Sequence, residues 1–477
     1  MPSIAALVSA LIAFFAIMLV FPAIVALATN DMLAFSSFVS LALVYSFFAL
    51  ILRLAMAFRF KRMDRFNLFL ATIILWFIFV ILAMPAFIVI EELDFSEAMF
   101  EAVSASVTLG VSFQLVEKTS LAMELYRSLV AWQGGLLTLL FAVYIMGRYQ
   151  VGGTPNSQLQ YILHASQNGS PKILKTFLEV FVPYIALTMV FAAILVITRV
   201  DPVDAVMISL NILSTNGYLP IETGASVLNN VWAEIAMIIF MIVGATSIIW
   251  HRTIFIRKWN ISKNQTEASV FLSFIVAISV FAIIGTLALP PEHFTFGKAI
   301  LNNVFDVVSI MTTTGITHDA RYGIALPIGL ILALSMVGGC SFSTSGGFKI
   351  FRLSSMVRHS INDINRLVYP HMVIPQSTEL DVQGQKISRA VWSALFISVI
   401  TIMFATLLFS VNDFDLSSSL SLAVGSFSST GNLVSMGLDL ERGAVPSNMA
   451  LGILSFVAII SRIELLVLLA ALSQLKW

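Results

Sequence analysis

Apolar residues run along this chain in blocks long enough to cross a bilayer, which takes about 20 of them in a helix. The blocks lie at 4–28, 33–57, 67–90, 120–147, 174–198, 227–250, 268–290, 322–357, 390–411 and 447–471. They predict ten transmembrane helices. The first block lacks the basic leader of a secretion signal and is too long for one, so it reads as a retained helix.

Four connections between the blocks break the pattern. Each holds a segment too short to span twice, opening at Asp94, Asp201, Thr295 or Asp413, residues suited to a helix N-cap. Pro202 stands where a first helical residue belongs. Each segment runs about three to four helical turns and then meets a turn of small and hydroxyl residues. The turns are Val107, Thr108, Leu109, Gly110 and Val111; Ser214, Thr215, Asn216, Gly217 and Tyr218; Thr312, Thr313, Thr314, Gly315 and Ile316; and Ser429, Thr430, Gly431 and Asn432. Phe100, Glu101, Val103 and Ser104 precede Gly110 in the same register in which Phe305, Asp306, Val308 and Ser309 precede Gly315. The four glycines are 107, 98 and 116 residues apart. Spacing and register imply repeats of one orientation, each a helix, a short pore helix, a turn and a second helix.

Non-helical backbone at membrane depth is tolerated only where it is buried in protein or lines a water-filled path. Carbonyls from four such turns around an axis can replace the hydration shell of a monovalent cation. Glycine permits the required backbone angles, Ser and Thr add neutral oxygens, and the C-terminal ends of the short helices point partial negative charge inward. No turn contains a carboxylate, which argues for K⁺ or Na⁺ over a divalent ion. The plainer reading of each glycine alone is close helix packing.

Composition removes most other classes. Hydrophobic residues make up 58% of the 477 and charged residues 11%. That excludes a soluble enzyme, a nucleic-acid binder, a disordered chain and a disulfide-rich secreted module. The single cysteine, Cys340, excludes an intrachain disulfide and reads as a packing residue. The six histidines, 164, 251, 293, 318, 359 and 371, lack metal-ligand spacing and read as interfacial. Net charge is zero, yet nineteen of 26 Lys and Arg fall in alternate connections and the C-terminal tail. The positive-inside rule makes that side, and both termini, cytoplasmic. Nineteen of 26 acids, among them Glu91, Glu101, Glu124, Glu234 and Asp306, belong to the other half. They read as an acidic outer vestibule that concentrates cations, or as mere loop filling.

Several stretches resemble the Trk/Ktr/HKT potassium-transporter superfamily, most closely its TrkH branch. They are 312–317 and 214–218 around two turns, 126–135 with Tyr126, Arg127, Trp132, Gly134 and Gly135, and 338–352. The stretch 366–375 and the end, from Ser461 and Arg462 through Glu464 to Trp477, also match. The resemblance covers about 60–477, with 1–57 as an extra leading helix pair. It implies an all-α membrane protein of four parallel repeats around a pseudo-fourfold pore. The repeats are expected at 58–147, 148–257, 258–357 and 358–477. It departs at Leu109, where the family often has Thr, at Asn432 after the fourth glycine, and at Arg462, where Gly would follow Ser461.

The block 322–357 is too long for one span, and its middle, 338–347, holds four Gly and four Ser or Thr, a poor helix. It reads as a break forming a mobile loop, or as a kinked helix with small-residue packing faces. The resemblance makes it a gate beneath the filter, comprising Gly338, Gly339, Ser343, Thr344, Ser345, Gly346, Gly347 and Lys349. Arg462 lies within the last apolar block, where a charge faces a cavity or a partner. The resemblance makes it an electrostatic barrier in the pore; the alternative is an ion pair with a carboxylate of another helix.

The resemblance implies K⁺ uptake, Na⁺ being the alternative cargo, by a multi-pass protein of the bacterial inner membrane. It also implies a homodimer on a cytosolic, TrkA-like nucleotide-binding ring. The chain has no Walker loop, no nucleophile–base pair within its spans and no cytosolic domain, so it does not read as an enzyme, and no organic cofactor is expected. Leu109 and Asn432 motivate two further readings: non-selective monovalent transport, or a non-conducting membrane subunit.

Overall fold

The computed structural model describes residues 2–55, 65–113, 119–146, 173–219, 225–228, 230–255, 266–288, 296–318, 326–368, 378–438 and 446–463. Every regular element among them is helical. The chain opens with α1 (Pro2–Met18), α2 (Val20–Ala28) and α3 (Met32–Ala55). Next come α4 (Arg65–Ile90), the short α5 (Phe95–Ser106) and α6 (Leu121–Phe141), then α7 (Ile173–Ile197), α8 (Pro202–Leu213), α9 (Val231–Ala245) and α10 (Ile248–Phe255). They are followed by α11 (Thr266–Ala288), α12 (Phe296–Met311), α13 (Ile328–Val337) and α14 (Ile350–Val368). The chain goes on with α15 (Thr378–Val411), α16 (Leu416–Ser428), α17 (Gly431–Leu438) and α18 (Asn448–Ile463). Among the described residues, six helices are long and apolar enough to cross a membrane alone, and the bent pair α9 and α10 makes a seventh. The other predicted spans map to α6, to the interrupted α13 and α14, and to α18.

Two predicted spans are broken. The block 227–250 bends by 105° between α9 and α10, and 322–357 stops at Val337 and resumes at Ile350. The four short helices α5, α8, α12 and α16 end deep in protein, and their second halves are buried. At their starts, Asp201 accepts a hydrogen bond from Val203 N at 2.9 Å. Asp94 holds the cap position without a side-chain bond. The cap of α16 is Asp415, bonded to Ser418 N, rather than the expected Asp413. Thr295 lies outside the described residues, as do Glu464, Trp477, His164, His293, His371 and, among the inner basic set, Arg59, Lys61, Arg62, Arg148, Lys172, Arg257, Lys258, Lys263 and Lys476.

Large apolar side chains such as Leu43, Ile81, Met189, Val276 and Phe396 face outward, as a lipid-facing surface requires. Inside, helix α4 carries Pro85, which removes one intrahelical N–H and crowds the preceding turn. Two buried tyrosines serve that stretch. Tyr45 of α3 donates to Leu82 O at 2.8 Å, and Tyr126 of α6 donates to Ala83 O at 2.7 Å. The Tyr126 ring packs between Phe38 and Phe87, at 5.3 and 5.5 Å. Helices α3 and α6 are thereby both tied to α4. Replacing Tyr126 by Phe, which removes only the hydroxyl, should lower stability by about 1 kcal/mol. The Tyr45→Phe, Tyr126→Phe double variant should fall further. Melting in detergent checks this, and unchanged transitions in both would refute it.

Candidate permeation site

All four short helices end in the same way. A backbone N–H reaches the carbonyl five residues back: Leu109 to Ser104 at 2.8 Å, Asn216 to Asn211 at 2.8 Å, Thr314 to Ser309 at 3.0 Å and Thr430 to Gly425 at 2.9 Å. The residue before each donor is left-handed: Thr108 at φ 57°, Thr215 at 55°, Thr313 at 58° and Ser429 at 55°. This is a Schellman ending, which satisfies a helix's last carbonyls and normally uses glycine at the left-handed position. Here three of the four are β-branched, a conformation that costs on the order of 1–3 kcal/mol unless its surroundings hold it.

Two residues after each left-handed position comes the glycine, and the four glycines meet. A Cβ on Gly110 would lie 2.3 Å from Gly217 N, and one on Gly217 would lie 2.6 Å from Thr314 O. A Cβ on Gly315 would lie 2.8 Å from Gly431 N, and one on Gly431 would lie 2.4 Å from Leu109 O. The turns therefore close a ring in chain order, backbone against backbone, with no room for a side chain. Backbone angle demands glycine only at Gly110 and Gly315, with φ 78° and 76°; at Gly217 and Gly431 the reason is space.

Two expectations for the turns change. The fourth is not extended beyond Thr430, because α17 begins at Gly431. Gly431 and Asn432 therefore sit in a first helical turn, whose free groups are N–H. The carbonyls of Val111 and Ile316 accept bonds from Ser104 Oγ and Ser309 Oγ, each at 2.6 Å, and so turn toward their own pore helices. Several hydroxyls are also tied back. Ser214 Oγ donates to Asn211 O at 2.9 Å, Thr312 Oγ1 donates to Val308 O and meets Thr314 Oγ1, and Ser428 Oγ meets Thr430 Oγ1. The Asn216 amide donates to Asn211 Oδ1 at 2.8 Å.

The loop between α13 and α14 lies against the pore-helix ends. Gly338 and Gly347 adopt φ 66° and 75° at its two ends. Phe348 N to Met336 O at 2.7 Å, Lys349 N to Val337 O at 2.9 Å and Ile350 N to Gly339 O at 3.0 Å draw those ends together. Within it Ser343 Oγ donates to Cys340 O, Gly339 N donates to Ser345 Oγ, and Lys349 Nζ donates to Ser345 O. The expected loose loop is thus a buried, hydrogen-bonded plug. Gly346 N donates to Thr313 Oγ1 at 2.7 Å. A Cβ on Gly346 would fall 1.8 Å from Ser428 O. Thr344 Oγ1 lies 3.1 Å from Leu213 O and 3.0 Å from Gly244 O. The plug therefore touches the ends of pore helices 2, 3 and 4. Arg462 reaches the first, donating through Nη2 to Thr108 Oγ1. Among the described residues no carboxylate pairs with Arg462, and its Nε has no hydrogen-bond partner. A cavity of about 90 Å³ borders plug and arginine, lined by Thr138, Ser341, Lys349, Arg352, Ser461 and Arg462 among others.

Several acids assigned to the outer vestibule are buried instead: Glu101, Glu124, Glu234 and Asp306. Arg127 of the 126–135 stretch bridges Glu91 at 2.7 Å and Glu101 at 3.3 Å. Its guanidinium also stands 5.3 Å from the Phe87 ring and 5.8 Å from that of Tyr218. His318 is buried, not interfacial, and its Nε2 lies 3.0 Å from Glu234. His251 is buried too, 2.9 Å from Thr246 Oγ1. Sequence reasoning gave Arg127 no role, set the acids in a vestibule and set the histidines at an interface. The repeated Phe–acid–x–Val–Ser register was the available signal for Glu101 and Asp306. Among the described residues no group of three or more His, Cys, Asp or Glu is placed to hold a metal.

No family model matches the sequence. Curated proteins do. The chain is 25% identical over 415 residues to the Trk system potassium uptake protein TrkH of Vibrio parahaemolyticus, covering 84% of each. It is 27% identical over 360 residues to the protein of the same name in Escherichia coli strain K12, covering 72% of this chain and 73% of that one. The crystal structure of the potassium transporter TrkH from Vibrio parahaemolyticus superposes with a TM-score of 0.85 at 22% identity, covering 100% of this chain and 99% of that one. Over most of its sequence this chain is similar to TrkH potassium uptake proteins, and over its whole length it shares the fold of the TrkH transporter.

Proposed function

We propose that the chain takes up K⁺ through a pore whose filter is the ring of four turns and whose gate is the plug beneath it. The observation that carries this is the closed backbone ring around Gly110, Gly217, Gly315 and Gly431. Helix C-termini bring partial negative charge to it from four sides, and backbone carbonyls offer neutral oxygen, which suits a monovalent cation. Relatives named as potassium uptake proteins support K⁺ over Na⁺. The carbonyls of Leu109, Gly110, Thr314 and Gly315 are the principal ligands in this reading, with Thr108, Thr215 and Thr313 at the inner edge. The protein sits in a bacterial inner membrane with both termini cytoplasmic, following the basic inner loops. It works as a homodimer with a cytosolic, TrkA-like nucleotide-binding ring, since its own sequence holds no nucleotide site. Expression should restore growth on limiting K⁺ to a host lacking K⁺ uptake; failure despite correct insertion would refute K⁺ uptake.

Arg462 is the barrier and the plug is the door. Two unit charges ~4 Å apart interact by about 4 kcal/mol at an effective dielectric constant of about 20, so a fixed guanidinium under the ring opposes a passing cation. Arg462→Ala should raise K⁺ flux into proteoliposomes while thermal stability stays near normal, and Arg462→Lys should keep the barrier. Collapse of stability without raised flux would make Arg462 structural. Shortening 338–347 should also raise flux and loosen its dependence on a cytosolic partner.

Gly315→Ser places a Cβ where φ is 76° and Gly431 N would be 2.8 Å away. K⁺ flux or K⁺/Na⁺ discrimination should fall by about tenfold or more, the scale of about 1.4 kcal/mol. A folded variant with unchanged discrimination would remove Gly315 from the filter.

A further inference from the structure

The ring is fourfold in its left-handed turns but twofold in what holds it. Nine residues before the glycine, repeats 1 and 3 carry Glu101 and Asp306, whereas repeats 2 and 4 carry Ile208 and Leu422. Both acids are buried. Each reaches forward twelve residues to a backbone N–H beyond its own turn: Glu101 Oε1 accepts from Phe113 N at 2.9 Å, and Asp306 Oδ1 accepts from His318 N at 3.0 Å. One helical turn on, Ser104 and Ser309 reach forward seven residues to the carbonyls of Val111 and Ile316. Phe100 meets Phe113 at 4.8 Å and Phe305 meets His318 at 5.3 Å between ring centroids. The same three side chains thus clasp the outer exit of two turns, one at an N–H, one at a C=O and one at a ring.

The clasps are anchored on repeat 2 and on the first outer helix. Arg127 bonds Glu101 and Glu91 while its guanidinium lies near Tyr218, the residue after Gly217. His318 carries the third-repeat clasp to Glu234 of α9. We propose that Glu101 and Asp306 are positioning residues that set ion discrimination, fixing the exits of turns 1 and 3 so that the carbonyls of Leu109, Gly110, Thr314 and Gly315 cannot follow a smaller ion inward. They act through hydrogen bonds to backbone, not by offering charge to the ion. The inference rests on the conducting reading above.

The test uses the purified full chain in proteoliposomes, with K⁺ and Na⁺ fluxes and melting measured on the same preparations. Asp306→Asn keeps a carbonyl acceptor for His318 N and should keep the K⁺/Na⁺ ratio. Asp306→Ala should lower the ratio by about tenfold through raised Na⁺ flux, equivalent to about 1.4 kcal/mol. Ser309→Ala removes one contact, leaves the acid in place and should lower the ratio by about threefold, the scale of one hydrogen bond; it decides the matter if Asp306→Ala fails to fold. An unchanged ratio in either folded alanine variant overturns the proposal. So does an Asp306→Asn variant as impaired as Asp306→Ala, which would make the acid a charge acting on the ion. If the unaltered protein passes neither ion, the conducting reading falls and this inference falls with it.

Discussion

A helix that stops at membrane depth leaves its last carbonyls without water, and the rest of this structure follows from how four helices solve that problem. Each makes the same i to i−5 bond and turns one residue left-handed. The reversal carries the chain away from the helix axis and delivers a glycine two residues later to the same central point. Identical endings, repeated four times, make a ring without any ring-shaped element. Three of the left-handed residues are threonine rather than glycine, so the geometry is held from outside. Thr108 is held by Arg462, and Thr313 by Gly346.

Much of this is legible along the chain. Apolar blocks, cap residues and the small-residue turns predict the short helices, whose ends the structure puts at Ser106, Leu213, Met311 and Ser428. Four glycines within 338–347 announce the break after Val337, because such a stretch is a poor helix. What escapes is set by contacts far apart in sequence. The bend between α9 and α10 carries no proline, and its one glycine, Gly244, stands just before the break as the penultimate residue of α9. It is fixed by the plug about 100 residues on, through Cys340 N to Ala245 O and Ile248 N to Phe342 O. The buried state of Glu101, Asp306 and His318 is invisible for the same reason, since a polar group in a connection between spans reads as solvated until a partner is in place. The fourth turn misleads because Ser429 and Thr430 match the other turns while the chain resumes a helix at once.

Two arginines, the buried Arg127 and the half-buried Arg462, show how surroundings divide structure from function. Arg127 sits between two carboxylates and near two aromatic rings, an arrangement that neutralises it and makes it a brace. Arg462, among the described residues, has hydroxyls and a cavity but no carboxylate. A half-buried cation at membrane depth without a carboxylate is costly unless a task keeps it there. It sits at the end of α5, as the plug sits at the ends of α8, α12 and α16.

The central claim is that the four glycines enclose the ion. The most direct measurement is a structure of the protein with Rb⁺ or Tl⁺ in place of K⁺, read by anomalous scattering. The account predicts heavy-ion density inside the ring formed by Gly110, Gly217, Gly315 and Gly431, at the level of the Leu109 and Thr314 carbonyls. Density lodged elsewhere in the protein, with none inside that ring at ion concentrations that saturate transport, would contradict it.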